Sequence, residues 1–192
     1  MPLDIVILGP PGAGKGTQAA RISEEASIPQ VATGDMYRAA VAAGSELGDR
    51  VQGYMDAGEL VPDELTIQVV RDRLQGADTL NGFVLDGFPR NLAQAEALDD
   101  ILAEQDRDIS VVLHFQLPEE LAEERLLRRA LESGRADDTP EIIHHRMETM
   151  RIPADLIAYY RGKGNLVGIH ADRTIDEVFD EVQSVLEAAA AR

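Results

Sequence analysis

The glycine-rich segment GPPGAGKGTQ, near the N-terminus, contains the first side chains that could do chemistry. Gly9, Gly14 and Lys15 fit the phosphate-binding pattern G-x-x-x-x-G-K-[ST], but Gly16 follows the lysine and the hydroxyl comes one residue later, at Thr17. Glycines let the backbone curl so that several N–H groups point at one anion, and a lysine adds a mobile positive charge. The chain has only two lysines, and one of them stands here. The segment therefore predicts a site for a polyphosphate.

A second polar group follows the apolar run in GFVLDGFPRNLAQ. Asp86 ends the run and could hold a metal ion or its water ligands. Gly87 permits the close approach of a ligand, and the planar guanidinium of Arg90 could donate two parallel hydrogen bonds to phosphate oxygens. Gln94 comes four residues after Arg90, so a helix would place both side chains on one face. These residues predict a further part of a nucleotide site.

Arginines are concentrated in the C-terminal half of the chain. Five of them occur within 22 residues: Arg125, Arg128, Arg129, Arg135 and Arg146. On a helix Arg125 and Arg129 would share a face, where like charges repel unless an anion lies between them. Part of the group could instead pair with Glu123, Glu124 and Glu132. On the first interpretation the arginines form a phosphate-binding surface.

The overall charge argues against large anionic partners. The 192 residues include 35 acidic and 18 basic side chains, for a net charge of −17. Such a surface repels nucleic acid and anionic lipid, so we expect neither a nucleic acid nor a membrane as a partner. The chain has no cysteine, so it can form no disulfide and no thiolate metal site, which favours a reducing, cytoplasmic location.

Five short apolar runs are the elements that must position these groups. They occupy 3–9, 29–33, 82–87, 110–117 and 165–171. Three of them are almost continuously apolar, which is typical of parallel strands buried on both faces. Helical patterns fill the gaps, and this alternation predicts a parallel sheet covered by helices on both sides. Pro153 is expected to kink or break the long helical pattern that contains it.

GPPGAGKGTQ resembles the phosphate loop of the nucleoside monophosphate kinases, and of adenylate kinases in particular. The similarity extends to QVATGDMYRAA, MDAGELVPDEL, DGFPRNLAQAEAL and SGRADD, and it runs from Leu3 to about Val185. The resemblance implies an α/β P-loop kinase with a five-stranded parallel sheet flanked by helices. It also implies one kinase domain over 1–192, with a helical NMP-binding insertion at 32–61 and a short lid at 129–137. Many family members have a longer lid with a four-cysteine zinc site. This chain resembles the short-lid form and has no cysteine, so no zinc is expected here.

The resemblance also assigns residues to two nucleotide sites. For ATP it implies Gly12, Ala13, Gly14, Lys15, Gly16, Thr17, Arg129 and Arg173. For AMP it implies Thr33, Arg38, Glu59, Leu60, Val61, Gly87, Phe88, Pro89, Arg90, Gln94, Arg135 and Arg146. The residues implied to act on the transferring phosphoryl group, and hence to be catalytic, are Lys15, Arg90, Arg125, Arg129, Arg135 and Arg146.

The activity implied by the resemblance is reversible phosphoryl transfer, MgATP + AMP ⇌ MgADP + ADP, by a monomer whose partners are ATP and AMP or ADP. Within the AMP set, Thr33 and Gln94 would contact the adenine and Arg38 the α-phosphate. Mg²⁺ would arrive with ATP, and Asp86 would hold it mainly through water, since Gly16 offers no hydroxyl group.

Three alternatives remain at this point. UMP/CMP kinases usually have alanine at the position of Thr33 and asparagine at that of Gln94, so both positions favour adenine here. A P-loop GTPase would need an Asn-Lys-x-Asp guanine motif, and the sequence contains none. A non-catalytic nucleotide-binding module would require the loss of a key residue, and none of those above is missing.

Overall fold

Five parallel strands form one sheet in the part of the chain that the structure describes. The computed structural model describes residues 2–133 and 139–190. The strands are β1 (Leu3–Leu8), β2 (Gln30–Ala32), β3 (Gly82–Asp86), β4 (Val111–Gln116) and β5 (Leu166–His170). They lie in the order β2-β3-β1-β4-β5, and every neighbouring pair is parallel. The predicted five-stranded parallel sheet is confirmed.

Helices connect the strands and cover both faces of the sheet. In the described part of the chain they are α1 (Lys15–Ala26), α2 (Thr33–Ala42), α3 (Glu46–Ala57), α4 (Asp63–Leu74), α5 (Leu92–Ala103), α6 (Glu119–Ser133), α7 (Pro140–Thr149), α8 (Ala154–Lys163) and α9 (Ile175–Ala190), with a short 3-10 helix at Ala77–Thr79. The predicted break at Pro153 is confirmed, because α7 ends at Thr149 and Pro153 is the N-cap of α8. None of these helices has the length and apolar character needed to cross a bilayer.

The core consists of two apolar clusters separated by the sheet. Alternate side chains of a strand point to opposite faces, and the two clusters divide the strands in this way. Val6, Leu85 and Val112 belong to the cluster that packs against α4, α5 and α8. Ile5 and Val84 belong to the cluster that packs against α1 and α9. This double burial explains why the strands are almost continuously apolar.

Residues 33–61 form α2, α3 and the turn after them. Tyr37, Val51 and Val61 make a small cluster of their own, which Leu65 and Val69 of α4 join. Helices α2 and α3 contact each other extensively. The segment therefore packs through its own apolar side chains beside the carboxyl ends of β2 and β3. The division of the chain into an insertion at 32–61, a lid at 129–137 and a core stays a prediction.

Candidate functional site

The glycine-rich segment forms a tight loop between β1 and α1. Gly12 has a φ of +81°, and a Cβ atom there would lie 2.6 Å from the carbonyl oxygen of Ala122, so only glycine lets the loop pack this closely against α6. Gly14 is the N-cap of α1, and no side chain accepts a hydrogen bond there. The first N–H groups of α1 thus open towards an adjoining cavity, as an anion site at a helix N-terminus requires.

The cavity beside this loop has a volume of about 490 Å³. Among the described residues that line it, six are cations: Lys15, Arg38, Arg90, Arg125, Arg129 and Arg146. Two carboxylates, Asp35 and Asp86, also line it. A chain with a net charge of −17 thus builds one cavity with an excess of positive charge. Such a cavity attracts a compact, highly charged anion at short range, where salt screens least.

Lys15 lies at the centre of this charge distribution. Its Nζ donates a hydrogen bond to the carbonyl oxygen of Pro10 at 2.8 Å. Burial lowers the pKa of Lys15 to about 8; the carboxylate of Asp86 opposes this change, and the positive charges of Arg90, Arg146 and Arg129 add to it. The ammonium group is therefore destabilised as long as no anion shares the cavity.

Asp86 is the last residue of β3, and Arg90 follows the strand at the carboxyl edge of the sheet. A Cβ atom at Gly16 would lie 3.6 Å from Oδ2 of Asp86, so this carboxylate is next to the start of α1. Nε of Arg90 donates to the carbonyl oxygen of Gly87 at 2.8 Å. Burial lowers the pKa of Arg90, while the charge of Asp86 opposes that change. A carboxylate, a lysine and an arginine thus meet where doubly wound sheets bind ligands.

A smaller cavity of about 90 Å³ adjoins the larger one. The predicted residues that line it are Thr33, Arg38, Glu59, Leu60, Val61, Gly87, Arg90, Gln94 and Arg146. Gly34, Arg38, Gly87, Arg90, Arg146 and Met150 line both cavities. The two cavities therefore adjoin where Arg38, Arg90 and Arg146 line both of them.

The local structure around Arg90 differs from the sequence prediction. Arg90 was expected on the same helix face as Gln94, but α5 begins only at Leu92, and Asn91 is its N-cap. Arg90 and Gln94 are joined instead by a hydrogen bond from the backbone N–H of Arg90 to Oε1 of Gln94, at 2.7 Å. The helix begins after Asn91 because the side-chain oxygen of Asn91 accepts a hydrogen bond from the backbone N–H of Gln94.

A third cavity, of about 330 Å³, lies on the other side of the glycine-rich loop. Gly12, Ala13, Gly14, Thr17, Arg129 and Arg173 are the predicted residues that line it. Arg125 lines it as well and donates to the carbonyl oxygens of Ala171 at 2.7 Å and Arg173 at 3.3 Å. Arg125 thereby connects α6 to the loop between β5 and α9. Arg173 itself forms an ion pair with Glu181 of α9.

Two of the predicted site residues that the structure describes line none of these cavities. Phe88 is fully buried in the core cluster under α4 and α5, and Pro89 is also buried. Neither side chain lines these cavities, so any contribution they make is through the position of the backbone. Arg135 lies outside the described residues.

Sequence reasoning missed several residues that line the smaller cavity. These are Gly34, Tyr37, Met55, Gly58, Thr66 and Met150. The hydroxyl of Tyr37 donates to Oγ1 of Thr66 at 2.9 Å, which ties α2 to α4. Tyr37 follows Thr33 by one helical turn, and this spacing was the available signal. Thr66 and Met150 lie in sequence that is typical of any helix, so no local pattern indicated that they line a cavity.

The chain is similar to several known proteins. A family model described as adenylate kinase matches residues 7–165. Curated proteins named adenylate kinase are similar over almost the whole chain. One from Thermobifida fusca is 48% identical over 187 residues, covering 97% of this chain and 99% of that protein. One from Caulobacter vibrioides is 45% identical, covering 98% and 100%, and one from Archaeoglobus fulgidus is 42% identical, covering 96% and 98%.

Proposed function

The chain belongs to the adenylate kinase family, and from this premise we propose how its residues divide the work of the reaction. The enzyme transfers a phosphoryl group reversibly between ATP and AMP, giving two molecules of ADP. The observation that supports the division is the row of three adjoining cavities, with cations concentrated where they meet. Two nucleotides could enter from opposite sides and bring their phosphates together at that point.

ATP occupies the cavities on either side of the glycine-rich loop. Its phosphates accept hydrogen bonds from the N–H groups of Gly12, Gly14 and Gly16, and Lys15 neutralises the β- and γ-phosphates. Its base and ribose lie in the third cavity, beside Arg173. The support for this placement is the uncapped start of α1, which opens directly into the cationic cavity.

AMP occupies the smaller cavity, with its phosphate towards the arginines. Arg38 and Arg90 bind the α-phosphate, because both line the junction of the two cavities. Thr33 and Gln94 contact the adenine, and the segment of Glu59, Leu60 and Val61 covers the base and ribose. The other residues of the smaller cavity, including Tyr37, shape its walls.

Mg²⁺ is the cofactor we propose, bound together with ATP. When bound, it neutralises charge on the phosphate oxygens and orients them. The residues present fit such an ion, since Asp86 lies beside the start of α1 and within the same cavity as Lys15. Gly16 supplies no hydroxyl ligand, so Asp86 would contact the ion mainly through water.

The protein's own part in the transfer is positioning and charge stabilisation. Phosphoryl transfer between two nucleotides needs no protein nucleophile, because the phosphate oxygen of AMP attacks the γ-phosphorus directly. Lys15, Arg90, Arg125, Arg129 and Arg146 would stabilise the charge that spreads over the equatorial oxygens, and Arg135 would join them from the lid. A monomeric state, a cytoplasmic location and the absence of nucleic-acid partners stay predictions.

A coupled assay for ADP formation tests the acceptor. The purified enzyme is given MgATP with AMP, CMP, UMP or GMP in turn, and we expect a strong preference for AMP. Preference for CMP or UMP would overturn the assignment of adenine to Thr33 and Gln94.

Variants of the cavity test the proposed roles. We expect Lys15→Met and Arg90→Ala each to lower kcat/KM by about 10²–10³-fold, because each removes a charge that stabilises the transferring group. Arg71→Ala is the matched control, since Arg71 pairs with Glu104 on the surface and should leave turnover unchanged. Near-normal turnover by a folded Lys15 or Arg90 variant would refute its role.

A further inference from the structure

We propose that Asp63 holds the side-chain amide of Gln94 in one orientation and thereby makes the AMP site select a 6-aminopurine over a 6-oxopurine. The proposal rests on the role proposed above for Gln94 in contacting the base. Asp63 is the first residue of α4, and it is not among the residues that line the smaller cavity. It would therefore be a positioning residue that acts through Gln94.

The amide of Gln94 is buried and held at both ends. Gln94 is only 1% exposed, yet it lines the cavity. Its Oε1 accepts from the backbone N–H of Arg90 at 2.7 Å, and its Nε2 donates to Oδ1 of Asp63 at 2.6 Å. These bonds use one acceptor site and one N–H of the amide, so one of each is left for a ligand.

The backbone N–H of Arg90 and the carboxylate of Asp63 determine where the oxygen and the nitrogen of the Gln94 amide lie. A backbone N–H can only donate, and a carboxylate can only accept. If the amide of Gln94 turned over, its NH₂ would face the N–H of Arg90 and its oxygen would face the carboxylate of Asp63. Both buried pairings would then be lost, and a buried polar group without a partner is costly. The orientation thus follows from hydrogen-bond logic alone.

Asp63 is itself held by a second amide. Its Oδ2 accepts from Nδ2 of Asn91 at 2.8 Å, and Oδ1 of Asn91 accepts from the backbone N–H of Gln94 at 2.9 Å. The carboxylate therefore joins the first turns of α4 and α5 through two donors at once. Because both oxygens are engaged, the carboxylate cannot swing away from Gln94 without breaking a second bond.

The fixed amide distinguishes two classes of purine. A 6-aminopurine offers an acceptor at N1 and a donor at the 6-amino group, whereas a 6-oxopurine offers a donor at N1 and an acceptor at O6. The two patterns are reversed, so the amide orientation that pairs with one places like groups against the other. Since Arg38 and Arg90 would hold the phosphate, the base could not turn over to restore the pairing. Asp63 therefore controls a choice that Gln94 alone leaves open.

The test compares AMP with IMP, the corresponding 6-oxopurine nucleotide, as phosphoryl acceptors. For the wild type we expect kcat/KM to favour AMP by a factor on the order of 10³ or more, because the site rejects a reversed hydrogen-bond pattern. Asp63→Asn introduces a donor that opposes either Gln94 or Asn91. Turning the Gln94 amide would exchange this conflict for one with the N–H of Arg90, so the two amide orientations become similar in free energy. We expect this variant to lower the AMP-to-IMP ratio by about tenfold or more.

The order of two variants separates this role from a structural one. Asp63→Ala removes the carboxylate but leaves the N–H of Arg90 to orient the amide, so its ratio should lie between those of the wild type and Asp63→Asn. A residue that only stabilised the fold would be damaged more by alanine than by the isosteric asparagine, and that order would overturn the proposal. If Asp63→Asn does not fold, Asp63→Ala carries the test, and an unchanged ratio overturns the proposal.

Two controls complete the experiment. Glu64→Gln removes the same charge from the same helix start at an exposed position, and it should leave the ratio unchanged. In a Gln94→Leu background, Asp63→Asn should have no further effect on the ratio, because there is no amide left to orient. A similar change with Glu64→Gln, or a full Asp63 effect without Gln94, would overturn the proposal. A wild type that does not prefer AMP would instead refute the proposed function.

Discussion

Lys15 is the residue whose charge depends most on what occupies the site. Burial lowers its pKa to about 8, and three neighbouring arginines add to the effect while Asp86 opposes it. A bound polyphosphate would place negative charge beside the ammonium group and raise the pKa again. The charge on Lys15 should therefore vary with pH in the free enzyme and much less in the enzyme–nucleotide complex.

This difference predicts the pH dependence of the reaction. We expect kcat/KM for MgATP to fall above pH 8, by about tenfold for each further pH unit, because this constant reports the protonation state of the free enzyme. The decline of kcat should begin at higher pH. The measurement is an initial-rate profile at AMP well below its KM for kcat/KM, and at saturating AMP and MgATP for kcat. In Lys15→Arg, whose side chain stays charged throughout, the fall above pH 8 should disappear, whatever the absolute rate. A wild-type kcat/KM that stays level up to pH 10 would contradict the assignment.

The same shift has a consequence for stability. The pKa of Lys15 in the folded chain, about 8, lies below the ordinary lysine value of 10.5. Between these two pH values the unfolded chain binds more protons, so the contribution of Lys15 to folding stability increases as the pH rises through that interval. In the ligand-free enzyme the charged form of Lys15 opposes folding and promotes phosphate binding.

Sequence reasoning found the charged residues of the site but not the polar contacts between them. Lys15, Asp86 and Arg90 stand in short motifs whose spacing already indicates a phosphate site. The bond between Gln94 and Asp63 joins residues 31 positions apart, on two helices whose relative placement no local pattern records. Asp63 is an acidic residue in the first turn of α4, where carboxylates are common because they interact favourably with the helix dipole.

At the scale of elements, the strands were predictable because burial on both faces leaves almost no choice but continuous apolar residues. Their observed ends lie within one or two residues of the predicted runs. The ends of α5 were less predictable. DGFPRNLAQ suggested that the helix includes Arg90, but the side chain of Asn91 accepts from the N–H of Gln94 and so begins the helix after the arginine. Capping by a side chain decided a boundary that periodicity left open.

Two glycines of α3 should respond to alanine with opposite signs. Gly53 lies inside the helix, and a Cβ atom there would have open space. Gly58 ends the helix with a φ of +69°, and a Cβ atom there would lie 2.7 Å from Cγ2 of Ile142 in α7. We expect Gly53→Ala to stabilise the protein by about 0.5–1 kcal/mol, since alanine favours a helix interior. Gly58→Ala should destabilise it by about 1 kcal/mol or more, because φ becomes strained and α7 is too close.

Chemical denaturation measures both changes, and kinetics distinguishes their consequences. Gly58 lines the smaller cavity, so Gly58→Ala should also raise the KM for AMP as α3 moves away from α7. Gly53→Ala, in the same helix but exposed, should not change that KM. Equal effects of the two substitutions on stability would show that contact between α3 and α7 is unimportant.

At the scale of the whole molecule, two charge distributions oppose each other. The chain has a net charge of −17, which repels anions at long range and favours expansion of the fold. The largest of the described cavities places six cations against two carboxylates, which attracts anions at short range. The composition predicted the first distribution, and the motifs together with the arginine group predicted the second. Their relative positions required the fold, since the six cations come from five separate segments of the chain.

Salt should therefore stabilise the ligand-free enzyme in two separable ways. Sodium chloride screens repulsion among the surface carboxylates, so we expect Tm to rise by a few degrees between about 0.05 M and 0.5 M, given that 1 kcal/mol corresponds to about 2–4 °C at this chain length. Sodium sulfate at equal ionic strength should raise Tm further, since a divalent anion can also bind among the arginines and stabilise the fold by mass action. Sulfate stabilises proteins in general, so the informative comparison is with Arg90→Ala. That variant should keep the full response to chloride and lose part of the additional response to sulfate.

Two outcomes would contradict this account. The same response to sulfate in both proteins would mean that the cationic cavity binds no free anion. An unchanged Tm in sodium chloride would mean that repulsion among the surface carboxylates destabilises the fold little.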